Sequence, residues 1–246
     1  QHLLTSFWIL QLSFDGSYRP MDRLGGSGVS IDLIDVERKE LNNYSNNIGR
    51  NQLINDGRCK NIWKGLYYYG DSVKNSNECE YLALIEGLYA LKFLSLINNE
   101  HNTSLPNNNV IKEKNIEFIE IRGDSQIVMR NVNSDQYNLD SPLTRLQMLD
   151  NRAKDMLNSL RTKATTTNNI PIECKYIPRE SNFEADLLAS HAIDKKLSAV
   201  ENADLGKINH FYVNQMSLLL IRNSNNKEKW IDEWKSLYEI HLESKD

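Results

Sequence analysis

The stretch Ile116–Arg130, IEFIEIRGDSQIVMR, decides how this chain is read. Ile116, Phe118, Ile119 and Ile121 make an apolar, largely β-branched run short enough for a buried strand. Gly123 breaks that run, and Ser125 is suited to cap a helix carrying Ile127, Val128 and Met129. Asp124 then falls between a strand and a helix, on the sheet edge where α/β proteins bind ligands. Taken alone, an Asp in that place reads as a helix cap. Its meaning depends on the rest of the chain.

Working outward, Phe7–Phe14 (FWILQLSF) predicts a first strand that ends at Asp15-Gly16-Ser17. Gly25, Gly26 and Gly28 predict a turn, followed by a second strand at Val29–Val36 and a third at Ile62–Tyr69, together an antiparallel meander. A long helix is expected over about Glu78–Leu96, with Tyr81, Leu84, Ile85, Leu88 and Tyr89 as its buried stripe. Past the quoted strand come a short helix at 125–132 and an amphipathic helix over Leu143–Leu160. A fifth strand at Ile170–Ile177 and a helix over Glu184–Leu197 follow. The expected class is α/β. Residues 1–197 form one domain with Asn-rich insertions at about 38–60 and 98–115, and 198–246 form a C-terminal extension.

Three more carboxylates occupy comparable places. Asp15 stands at the end of the first strand, where it also reads as a turn residue before Gly16. Glu80 lies in the first turn of the long helix, where Asn77 as N-cap would make it part of a capping box. Asp186 borders the buried stripe of the last helix, and Ser181 with Glu184 already supplies a capping box there. A carboxylate facing a sheet is costly unless it is paired or binds metal. Two acids at strand ends and two on flanking helices describe one pocket, and such clusters bind hard metal ions.

Four segments carry these acids: Phe14-Asp15-Gly16-Ser17, Asn77–Leu84 (NECEYLAL), Gly123–Val128 (GDSQIV) and Pro178–Asp186 (PRESNFEAD). In order and in kind they resemble the four motifs of type 1 ribonuclease H, in the compact branch that lacks a basic protrusion. The resemblance covers roughly residues 7–196. It implies a ribonuclease H-like fold with a five-stranded mixed sheet in the order 3-2-1-4-5. It also implies an endonuclease that hydrolyses the RNA strand of RNA–DNA hybrids with two Mg²⁺ ions, Mn²⁺ being the alternative. Asp15 would bridge the two ions, Asp186 would help hold the first, and Glu80 and Asp124 the second. Arg179 would aid turnover, and Gly16, Ser17, Asn77, Ser125 and Asn182 would meet the substrate. Two positions depart from the family. The turn after Asp15 reads Tyr18-Arg19-Pro20-Met21-Asp22 in place of a Gly-Asn-Pro-Gly-like turn, and Ser76 stands where many relatives carry a second Asn.

The net charge of −4 argues against a sequence-independent clamp on a polyanion. Two divalent ions on the four acids would return the sum to about zero, so the charge leaves a metal-dependent nuclease open. Cys59, Cys79 and Cys174 are widely spaced with no CxxC pattern, which reads as reduced thiols in an intracellular protein without a zinc site. None of the five histidines has ligand spacing with another. No apolar run approaches the ~20 residues of a membrane span. The chain begins at Gln1 and is read as trimmed, processed or incompletely known at its start, with no signal-peptide pattern in the sequence that remains. An organellar setting, mitochondrial among others, or a nuclear one is expected.

A second reading makes the chain a ribonuclease H-like subunit with a structural or RNA-binding role in a large assembly such as an organellar ribosome. Trp230, Trp234 and Tyr238 share one face of an expected C-terminal helix and suit contact with the core or with a protein partner. A third reading, a sugar- or nucleotide-binding domain, lacks any Gly-rich phosphate loop.

Overall fold

The computed structural model describes residues 6–37, 56–99, 116–138, 143–167, 170–202 and 206–208. Its strands are β1 (Ser6–Arg19), β2 (Leu24–Glu37), β3 (Cys59–Gly70), β4 (Ile116–Gly123), β5 (Ile172–Tyr176), β6 (Ala199–Asn202) and β7 (Gly206–Ile208). Its helices are α1 (Ser76–Asn99), α2 (Gln126–Val132), α3 (Arg145–Thr167) and α4 (Phe183–Lys195), with one 3₁₀ turn at Arg179–Ser181.

The sheet runs β5-β4-β1-β2-β3-β6-β7. β1, β2 and β3 pair antiparallel, and β4 and β5 extend the sheet parallel to β1. The first five strands thus stand in the order and directions expected, which is the ribonuclease H-like arrangement. Among the described residues the sheet has seven strands rather than five. β6 and β7 continue it from the β3 edge, so pairing carries on past residue 197, where the extension was expected to begin. An open edge on β3 would expose unpaired backbone groups, and β6 covers part of it.

Two local expectations are corrected. β1 does not stop at Phe14 but continues to Arg19, so Asp15 lies inside a strand and is not a turn residue. The three glycines expected to turn the chain lie inside β2, and the reversal falls at residues 20–23, with Arg23 at a φ of 54°. The reason is close packing. A Cβ on Gly28 would sit 2.1 Å from the carbonyl oxygen of Ala185 and 2.6 Å from the nitrogen of Ala189, so α4 rests directly on the β2 backbone.

α1 lies against β1 and β2 on one side and against α3 on the other. Every residue from Tyr81 to Leu91 is buried, Glu86 included, so the helix is enclosed all round instead of showing a single stripe. Leu12, Phe14, Val29, Ile31, Leu84, Ile85 and Leu88 form the centre of this core. Each such side chain removed from water contributes about 1.5–3 kcal/mol. α2 touches α1, α3 and β5. The helix expected around Trp230, Trp234 and Tyr238 lies outside the described residues, as does most of both insertions.

Candidate metal centre

β1 and β4 place the first two acids. Their parallel register sets Ser13 opposite Arg122, and two residues further on Asp124 stands level with Asp15. β4 has ended at Gly123 by then, so Asp124 projects from the edge. Ser125 caps α2 as expected, its hydroxyl accepting from Val128 N at 3.4 Å, and Asp124 is left out of that cap.

α1 brings the third. Its cap is not Asn77 but Asn75, whose Oδ1 accepts from Glu78 N at 3.0 Å while Glu78 Oε2 accepts from Lys74 N. This corrects the capping role weighed for Glu80, which has no such duty. A Cβ on Gly16 would lie 2.2 Å from the nitrogen of Glu80, so β1 meets the first turn of α1 backbone to backbone. Only glycine allows that approach. One oxygen atom each from Asp15, Glu80 and Asp124 lie within 4.8 Å of one another.

Asp186, on α4, stands apart from that trio. Arg179 donates to Asp186 Oδ1 at 2.5 Å, and the charge of Asp186 also acts on Asp15. Arg179 is 74% exposed in its side chain. The N-cap of α4 is Asn182, not the expected Ser181. Glu184 accepts from Ser30 Oγ at 2.9 Å and pairs with Lys64 at 2.9 Å.

The trio is electrostatically uncomfortable. Burial, then the neighbouring charge of Asp124, pushes the Asp15 carboxyl up from its ordinary value to about 8. Burial, then the charge of Asp15, pushes Glu80 up to about 9, against an opposing hydrogen bond from Gly16 and the charge of Arg179. Glu80 Oε2 is buried with no hydrogen-bond partner. Converging carboxylate oxygens are the donor set that a hard divalent cation takes, and the buried Glu80 Oε2 has no protein donor to satisfy it.

Of the residues assigned to substrate, Gly16, Ser17, Asn77 and Ser125 are partly exposed around the acids. Asn182 is only 1% exposed, and both its amide protons go to protein acceptors, Phe14 O and Asp124 Oδ1. It has no free donor for a substrate.

No family model and no curated protein matches the sequence. Solved structures similar to it include RNase H1 from the archaeon Halobacterium salinarum, at 21% identity and a TM-score of 0.43, covering 76% of this chain and 98% of that one. The N-terminal RNase H domain of a Mycobacterium tuberculosis protein shares 16% identity at a TM-score of 0.41, covering 76% and 99%. LC11-RNase H1, solved in complex with an RNA/DNA hybrid, shares 19% at 0.40, covering 77% and 98%.

Proposed function

We propose that this chain is a metal-dependent endonuclease that hydrolyses the RNA strand of RNA–DNA hybrids. The observation that carries the reading is the convergence of Asp15, Glu80 and Asp124 within 4.8 Å, with Glu80 Oε2 lacking any donor. Asp15, Glu80, Asp124 and Asp186 would hold two Mg²⁺ ions. When bound, these supply an activated water for in-line attack on the phosphodiester and charge to stabilise the leaving oxygen. Arg179, bonded to Asp186 and largely exposed, would offer a cation to a phosphate or to the departing product. Gly16, Ser17, Asn77 and Ser125 surround the acids with backbone and small polar groups suited to phosphates and to the 2′-OH that distinguishes RNA.

The test is incubation with an end-labelled RNA–DNA hybrid in Mg²⁺, beside an Asp124→Asn control. Cleavage confined to the RNA strand, and lost in the control, is expected. An intact hybrid with the unaltered chain, or cleavage that persists in the control, overturns the reading.

A further inference from the structure

The loop between β5 and α4 ends at Asn182, whose side chain does not do what its place suggests. An Asn just before a helix ordinarily turns its amide oxygen onto the free N–H groups of the first turn. Asn182 makes no such bond. Its Nδ2 donates instead to Phe14 O and to Asp124 Oδ1, each at 2.8 Å. Both partners are acceptors, so the orientation of the amide is fixed, and its Oδ1 is left buried without a partner.

We propose that Asn182 is the positioning residue of the acid cluster. It ties the carboxylate of Asp124 and the Phe14–Asp15 peptide to the start of α4, and so sets the spacing at which the acids take up a divalent cation. The inference rests on the metal-site reading above. Three chain segments meet at this one NH₂ group: β1, the end of β4 and the head of α4. The last pair between β1 and β4 is Ser13 with Arg122, so past it the ladder no longer fixes β1 on that side. The bond to Phe14 O takes over one residue later.

The chemistry of the position selects the residue type. Two donors are needed from one small neutral group. Serine offers one, and aspartate offers none while adding a charge. A lysine or arginine would pair with the acids and occupy the place of a cation.

The test measures Mg²⁺ binding by calorimetry and by the Mg²⁺-induced rise in Tm, for the unaltered chain, Asn182→Ala, Asn182→Ser and Asn133→Ala. Asn133 is the control because its Nδ2 makes a bond of the same kind to Cys174 O at 3.0 Å, joining α2 to β5 without touching an acid. Loss of an outer-shell partner of a metal ligand weakens metal binding about 10–100-fold. That increase in half-saturating Mg²⁺ is expected for Asn182→Ala, a smaller one for Asn182→Ser, and none for Asn133→Ala. If Asn182→Ala fails to fold, Asn182→Ser carries the comparison. Equal Mg²⁺ affinity in the Asn182 variants and the unaltered chain overturns the proposal, as does an equal loss in Asn133→Ala. If the unaltered chain takes up no Mg²⁺, the metal-site reading falls, and this one with it.

Discussion

The molecule buries acids on two different terms. Glu120 on β4 and Asp150 on α3 are each 3% exposed, and each is surrounded by donors. Glu120 accepts from Gln11 Nε2 at 3.0 Å and pairs with Arg122 at 3.4 Å. Asp150 accepts from Tyr81 OH at 3.0 Å, from Asn138 at 2.8 Å and from Lys154 at 2.8 Å. Asp15, 4% exposed, faces Asp124, and the nearby Glu80 keeps one oxygen without a donor. Charge matched by donors holds helices and strands together. Acids crowded against one another keep their protons to higher pH, and a cation would have to displace those protons to bind.

The largest effect that can break this comparison is at the matched site. Asp150→Ala leaves Lys154, itself 5% exposed, without its carboxylate inside the protein. Breaking a buried pair from one side costs about 3–5 kcal/mol. Chemical denaturation should show that loss. Asp15→Asn should change the metal-free stability with the opposite sign above about pH 8, where the Asp15 carboxyl gives up its proton and stands charged beside Asp124. If both substitutions destabilise the metal-free chain alike, the two kinds of burial are not distinct.

Next in size is Gly16→Ala. The added methyl would stand 2.2 Å from Glu80 N and 2.3 Å from Cys79 C, which are backbone atoms that cannot swing aside. Overpacking of this kind costs about 1–3 kcal/mol. The same push separates β1 from α1, so Mg²⁺ affinity should fall along with the denaturation midpoint. A stability loss with unchanged affinity would show that the Asp15–Glu80 approach is not set by this contact.

The pH dependence sharpens the comparison further. Asp15 and Glu80 titrate near 3.8 and 4.5 ordinarily, and near 8 and 9 in the folded chain. Between those limits the folded state holds protons that the unfolded state has released, so stability must fall as pH rises. The contribution is complete below about pH 4 and lost by about pH 9. The Tm of chain stripped with EDTA should therefore decline through that window. Saturating Mg²⁺ should flatten the decline, and the Mg²⁺-induced rise in Tm should grow with pH. A Tm that climbs from pH 5 to 8 without metal would refute the account of these two acids.

How much of this was legible in the residues divides along the same line. The strands β1 to β5 followed from apolar runs, and their order in the sheet from the resemblance carried by the four acid-bearing segments. The acids themselves stood out because Asp15 and Asp124 sat at strand ends and Glu80 and Asp186 on the helices flanking them. What the pattern concealed was contact between backbones. Gly25, Gly26 and Gly28 read as a turn because glycine in a sequence marks a bend as readily as a close approach, and only the packed neighbours, Val73 at Gly25, Ala192 at Gly26 and Ala185 with Ala189 at Gly28, tell the two apart. The choice of Asn75 over Asn77 as cap turns on two residues of helix start, below what a propensity can resolve. Asn182 was visible as a polar residue among acids, but its burial was not. Burial is the fact that changes its role.

The smallest expected effect is at the rim. Arg179 bonds Asp186 yet is 74% exposed, so water and salt screen the pair. Exposed pairs contribute about 0–1 kcal/mol, and Arg179→Ala should move the denaturation midpoint by no more than that. Its charge nevertheless reaches the buried acids, drawing both Asp15 and Glu80 down from where burial alone would hold them. Without it the two carboxyls should keep their protons to higher pH, and a cation must displace those protons to bind. The midpoint of a pH titration of Mg²⁺ binding should therefore move upward in Arg179→Ala, and Arg179→Lys should restore most of the shift. A midpoint unmoved in Arg179→Ala would confine this arginine to the surface and leave the buried trio to set its own titration.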